Sequence, residues 1–272
     1  MGKLFSSWKR PITIATMVSI TMIAIYIWVY SASPFSELAN LLILNGSTAL
    51  AALLCAIILT LTVRFFSPGE APRTIWLFFA ICLWLWTIAE AYWGYLYTTV
   101  GEVPAFSLAD VFWLAGYLAF TVSIVQQYRL VTFERKKYIG WIAVGVWLIG
   151  LAVTALLVFT TKSITNSVEN YVLYFYPVAD TTIGLAALYL VYTFRGRTLA
   201  GPWLTMFAFV ISDVLYIWLT ASGVYDWEMH GVTLSLFVDT IYLLAYILVG
   251  WGALQQYLLL HNSSKEASTA SE

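Results

Sequence analysis

The sequence predicts an all-α, polytopic membrane helix bundle of eight transmembrane helices, and three observations carry that prediction. Hydrophobic residues make up 61% of the 272, charged residues only 10%, and the mean hydropathy is +0.84, whereas an ordinary soluble domain is about a quarter charged. Apolar runs of crossing length recur along the chain, a hydrocarbon core of about 30 Å needing roughly 20 residues of helix. With eight spans, every Lys and Arg except Lys162 falls on the side that holds both termini, the distribution expected of cytoplasmic loops.

The first span, 11–30, follows Lys3, Lys9 and Arg10. Its apolar stretch exceeds the core of a signal peptide, about 7–15 residues, and no small-residue cleavage site follows, so it reads as a retained helix. Next come 38–63, with Cys55, and 75–98, with Cys82 and Glu90. The cysteines lack metal-ligand spacing and read as small packing residues. The fourth span, 109–129, opens on Asp110 just after Ser107, and the fifth, 140–160, is the unbroken run "GWIAVGVWLIGLAVTALLVF", without the alternation of a barrel strand. Spans 171–194, 203–225 and 233–258 contain Asp180, Asp213 and Asp239 respectively. The expected organisation is a single transmembrane domain, 1–258, with halves 1–130 and 138–258, and a polar tail, 259–272, that reads as disordered. The net charge of −1 and the lack of a basic stripe argue against nucleic acid as a partner. Arg135, Lys136 and Lys137 suit anionic lipid headgroups.

Residues 110–128, "DVFWLAGYLAFTVSIVQQY", lie over 239–257, "DTIYLLAYILVGWGALQQY", without a gap at a shift of 129. Asp, Leu, Tyr and the closing Gln-Gln-Tyr coincide, and Glu90 and Asp213 extend the match to the preceding spans. Two four-helix halves in the same orientation are expected, related by an axis along the membrane normal. Both termini are then cytoplasmic.

Five acids lie inside predicted spans, where a charge costs at least about 2.5 kcal/mol unless it faces the protein interior. Four have an aromatic residue three positions on: Glu90 with Trp93, Asp110 with Trp113, Asp213 with Tyr216, Asp239 with Tyr242. Tyr97, Tyr117 and Tyr246 follow at seven. Positions i, i+3 and i+7 share one helix face, so each helix presents a seam of acid, aromatic ring and phenol. At 1.5 Å per residue, all five acids sit at the midplane or on its outer side. Two uses fit such a seam. In one, each carboxyl hydrogen-bonds a Tyr hydroxyl, a Trp N–H or a helix N-terminus, as Asp110 is placed to do. In the other, Glu90, Trp93, Asp110, Trp113, Tyr117, Asp180, Asp213, Tyr216, Asp239, Tyr242 and Tyr246 line an outward-leaning pocket for a cationic or polyhydroxylated small molecule, or a lipid.

Thirteen Trp residues add to the aromatic load. Trp8, Trp28, Trp76, Trp141, Trp203 and Trp227 fall near predicted span ends and read as an interfacial belt. Trp84, Trp86, Trp93, Trp113 and Trp251 lie deeper or on the seam and are pocket candidates. Asp226, Glu228 and His230 in "DWEMH" read as a solvated turn rather than a metal centre. Lys is confined to predicted loops and ends, which excludes a retinal Schiff base, and His230 and His261 lie outside the spans, which argues against haem. No phosphate-binding loop, nucleophile elbow or zinc helix occurs, so no cofactor is assigned. A few carboxylates around a lipid-accessible pocket remain compatible with a membrane hydrolase.

The phrases "VPAFSLADVFWLAGYLAF", "YPVADTTIGLAAL" and "ISDVLYIWLTASGVYDWEMHGVTLSLFVDTIYLLAYILVGWGALQQ" resemble multi-pass membrane sensory domains that precede diguanylate cyclase or histidine kinase output domains in bacteria and archaea. The resemblance spans about residues 85–257 and is carried by Pro104, Ser107, Ala109 and Asp110 and by Tyr176, Pro177 and Asp180. It implies a membrane input module. No output domain lies within the 272 residues, so a sensor that signals through a separate cytoplasmic partner is expected. Through "FVISDVLYIW" the seventh span is also similar to eight-helix lysoplasmalogenase-type enzymes, which implies a lipid hydrolase as the alternative. A proton- or cation-coupled transporter is the third possibility, and it requires a polar path through the inner leaflet, where Gln126, Gln127, Gln255 and Gln256 are the main polar residues.

Overall fold

The computed structural model describes residues 2–101, 103–104, 106–130, 144–145, 148–152, 155–156, 168–194, 200–229 and 232–270. Among them are α1 (Gly2–Ala32), α2 (Glu37–Val63), α3 (Ala71–Val100), α4 (Leu108–Leu130), α5 (Val168–Thr193), α6 (Ala200–Ala221) and α7 (Leu234–Ala270), with two short strands, β1 (Glu228–Met229) and β2 (Val232–Thr233). Each of the seven helices is long and apolar enough to cross a membrane, and the chain is a multi-pass membrane protein. The fifth expected span is helical at 144–145, 148–152 and 155–156. Its other residues, the cluster Arg135 to Lys137 and Lys162 lie outside the described residues.

Local chemistry sets the ends of these helices. Ser36 caps α2 by accepting from the Ala39 amide, and the Asn40 side chain clasps both the amide and the carbonyl of Phe35. A Pro lies in the first turn of α3, where its missing N–H costs nothing. Gly101, at φ 81°, closes the other end in the left-handed region. Helix α6 stops at Ala221 rather than at the expected 225, because Gly223 turns left-handed at φ 70°. The Val224 amide then reaches the Leu219 carbonyl and the Gly223 amide the Thr220 carbonyl, a Schellman closure.

Two other boundaries correct the sequence reading. Helix α1 begins at Gly2, nine residues before the expected 11, since extending a formed helix costs little. Helix α7 continues to Ala270, through the polar residues expected to form a disordered tail. Its continuation is anchored where His261 stacks on Tyr257, 5.8 Å between centroids, with Phe65, in the turn that follows α2, against both rings.

Packing joins α2, α3, α4, α5, α6 and α7, each to the next and α7 back to α2, into a closed ring among the described residues. Helix α1 leans on α7 and α2 from outside and runs antiparallel to α7, since Tyr30 meets Asp239 while Trp251 meets Ser19. The N-terminus of α1 and the C-terminus of α7 therefore share one end of the bundle, the terminal end; the opposite end is the loop end.

The ring's core is aromatic. Phe79 stacks on Trp203 at 5.8 Å, and Phe120 packs against both rings. Trp203 and Trp76 are buried, at 0% and 3% exposure, which removes them from the interfacial belt. Both sit where the ring of helices is closed, so their indoles turn inward. Trp28 and Trp227 are exposed, as a belt requires; the Trp8 side chain and Trp141 lie outside what is described. Cys55 and Cys82 are buried free thiols, and Cys55 donates to the Tyr246 carbonyl at 2.9 Å.

Candidate functional site

A cavity of about 770 Å3 occupies the loop-end half of the ring, within the range of small-molecule sites. Trp86, Tyr117 and Phe209 form its floor, and Val103, Pro104, Thr220, Tyr225 and Asp226 lie at its mouth. Below the floor, the packed Phe79, Phe120 and Trp203 close the bundle toward the terminal end.

Nine of the eleven residues proposed from sequence line this cavity: Glu90, Trp93, Asp110, Trp113, Tyr117, Asp213, Tyr216, Asp239 and Tyr242. Asp180 and Tyr246 stand behind its wall, at 3% and 0% exposure, and each touches a lining residue. Tyr246 donates to Glu90 at 2.8 Å, and Tyr117 donates to Asp180. Among the other pocket candidates, Trp86 is in the floor, whereas Trp84 points outward and donates to Thr60 at 3.0 Å. Trp251 is held by Ser19 of α1. Both indoles sit on helix faces turned away from the ring axis.

The acids are held by donors from neighbouring elements. Glu90 Oε1 accepts from Trp113 Nε1 at 3.2 Å, Tyr242 at 2.6 Å and Tyr246 at 2.8 Å, which ties α3 to α4 and α7. Asp110 serves twice: Oδ2 accepts the Ser107 amide at 2.7 Å and its hydroxyl at 3.2 Å, while Oδ1 accepts from Tyr176 of α5 at 2.9 Å. Ser107 Oγ in turn accepts the Ala109 amide, so Ser-x-x-Asp is a reciprocal cap. Asp239 accepts from Tyr225 and, at 3.5 Å, from Tyr30. Burial first, and then the Asp239 carboxyl, push the Tyr225 phenol above its ordinary value, which keeps it a donor. Asp213 differs. No amide, indole or phenol among the described residues donates to it, and its polar neighbour is the Asp180 carboxyl, whose Oδ2 is buried without a partner.

The aromatic floor is paired. Trp86 meets Tyr117 edge-on at 5.4 Å, Phe209 meets Tyr246 edge-on at 4.6 Å, and Trp86 and Phe209 meet each other at 5.2 Å. Gly116 permits this: a Cβ there would collide with the Trp86 indole, which donates to the Trp113 carbonyl at 3.2 Å.

Several lining residues escaped the sequence reading. Tyr26, Tyr30, Tyr176, Phe209 and Tyr225 all face the cavity. Tyr176 carried a signal, one helical turn before Asp180 in "YPVAD", as did Tyr26 and Tyr30, one turn apart; Tyr225, in a loop, carried none. The "DWEMH" segment holds β1, which pairs antiparallel with β2. Asp226 lines the cavity, and His230 lies outside the described residues.

Compared with known proteins, the chain matches no protein-family model, no curated protein and no solved structure.

Proposed function

We propose that this protein is a membrane-embedded ligand-binding module, a sensor that takes a small molecule from the loop end and reports its occupancy to a separate partner at the terminal end. One observation carries the reading: Glu90, Asp110, Asp213 and Asp239, from four helices, converge on one aromatic-walled cavity that no Lys, Arg or His among the described residues lines. A structural network alone needs no such volume. The cavity spans both halves of the ring, so an occupant touches α3 and α4 as well as α6 and α7 and can bias how they pack, to the extent that it prefers one packing.

The topology that goes with this reading is eight spans in two parallel four-helix halves, with both termini cytoplasmic. Segregation of the basic residues supports the orientation. Trp86 with Tyr117 and Phe209 with Tyr246 support the duplication, because they occupy matching positions four residues before Glu90 or Asp213 and seven after Asp110 or Asp239. A sensory role agrees with the resemblance to membrane input modules.

Mass spectrometry of protein purified in mild detergent tests the binding reading. The expected result is a small molecule retained by the native chain and lost from Thr220→Trp, which plugs the mouth. A native chain that retains nothing, and whose unfolding temperature no metabolite fraction raises, would overturn it.

A second reading is favoured by the meeting of Asp180 and Asp213: two adjacent buried carboxyls are the arrangement of an acid–base hydrolase. It expects turnover of a lyso-lipid that is abolished by Asp180→Asn, and a lipid panel without turnover would remove it. Transport gains no support from a cavity whose inner end is closed by Phe79, Phe120 and Trp203.

A further inference from the structure

We infer that the cavity's ligand is an organic ammonium ion whose N–H groups bind Asp213. The inference rests on the binding reading proposed for the cavity and adds the chemical class of the ligand and the residue that meets its charge.

Four of the five acids already have donors within the protein. Glu90 takes Trp113, Tyr242 and Tyr246; Asp110 takes Ser107 and Tyr176; Asp239 takes Tyr30 and Tyr225; Asp180 takes Tyr117. Those four carboxyls engage the phenols of Tyr30, Tyr117, Tyr176, Tyr225, Tyr242 and Tyr246. Asp213 lines the same wall and meets a second acid, the buried Asp180 carboxyl, while no amide, indole or phenol among the described residues donates to it. Low-dielectric surroundings make an unpaired acidic group costly. What Asp213 and the acid beside it lack among the described residues is therefore a group that brings N–H donors and positive charge.

Other ligand classes fit less well. An anionic ligand meets acids and no basic side chain among the described residues of the lining. A bare inorganic cation is far smaller than a cavity of about 770 Å3 and finds no set of three metal-ligating side chains among the described residues. Aromatic rings complete the case for an organic cation. Tyr216 lies three residues after Asp213 on the same helix face, and Phe209 one turn before it, both lining the cavity. Rings flanking a carboxylate hold an alkyl- or arylammonium by cation–π contact as well as by charge.

The test titrates the purified full-length protein in detergent with phenethylammonium, neutral 2-phenylethanol and anionic 3-phenylpropionate, following Trp fluorescence and unfolding temperature. Saturable binding of the ammonium is expected, at least tenfold tighter than that of either isostere. Asp213→Asn should weaken it at least tenfold. Glu37→Gln, an exposed acid in the first turn of α2 outside the cavity, should leave it unchanged. Equal affinity for the alcohol, stronger binding of the carboxylate, no saturable ammonium binding, or full affinity in a folded Asp213→Asn would each overturn the inference. If Asp213→Asn fails to fold, the ranking of the three isosteres by the native protein decides. The binding reading survives those outcomes as long as the native chain still retains a small molecule by mass spectrometry, so the two failures are distinguishable.

Discussion

Replacing Glu90 by Leu probes the connection between halves most directly. The carboxyl accepts from Trp113, Tyr242 and Tyr246, so the change strands three donors on two other helices. Interhelical hydrogen bonds in membrane proteins contribute about 0.6 kcal/mol each on average and at most about 1.7. Three of them give a loss of about 2–5 kcal/mol. The lower part of that range is expected, because Trp113 and Tyr242 line the cavity and can turn to water, whereas Tyr246 is fully buried. The assay is reversible SDS-induced unfolding in mixed micelles, read by Trp fluorescence, for Glu90→Leu, Tyr246→Phe and the double variant. Because Tyr246→Phe removes the donor that Glu90→Leu strands, the double variant should be more stable than the sum of the single losses by about 0.5–2 kcal/mol. Strict additivity would show that the Glu90–Tyr246 contact carries no energy, and Glu90 would then not be what ties α3 to α7.

Other perturbations follow the same logic. Gly116→Ala forces a methyl into the Trp86 indole, which Tyr117 and Phe209 hold in place; a loss of about 1–3 kcal/mol is expected, read in the same assay together with a shift in Trp emission. Asp110→Ala removes the cap on α4 and its tie to Tyr176, costing about 0.5–2 kcal/mol for the cap alone. Amides 107–110 should exchange faster in that variant, and Asp110→Asn, which keeps an acceptor, should exchange less fast than Ala. Native Cys55 and Cys82, at 1% and 0% exposure, should resist maleimide in the folded protein and react fully in SDS. With Cys55 and Cys82 replaced by Ala, Ser222→Cys should react with an impermeant maleimide on intact cells and Ser263→Cys only after lysis; the reverse pattern would invert the proposed orientation.

The acids of the site were legible in the sequence because a carboxylate inside a long apolar run is expensive, so Glu90, Asp110, Asp213 and Asp239 each announced an inward face. Spacing along one helix then brought in Trp93, Trp113, Tyr216 and Tyr242. What spacing cannot reveal is which neighbour supplies the donor. Tyr176 and Tyr30 reach Asp110 and Asp239 from other helices, and Tyr225 reaches Asp239 from a loop; none lies on the seam it completes. Trp76 and Trp203 depart from the expected belt for a related reason: proximity to a span end says how deep a side chain sits, not whether it points toward lipid or toward the axis. The tail departs from expectation because polar composition alone does not stop a helix that Tyr257, His261 and Phe65 still hold by stacking.

The stack of Phe79, Phe120 and Trp203 beneath the floor makes the chamber a blind alley. Among the described residues, the way in and out runs past Thr220, Tyr225 and Asp226. Occupancy would then follow the composition of the medium at that face and remain indifferent to the opposite compartment.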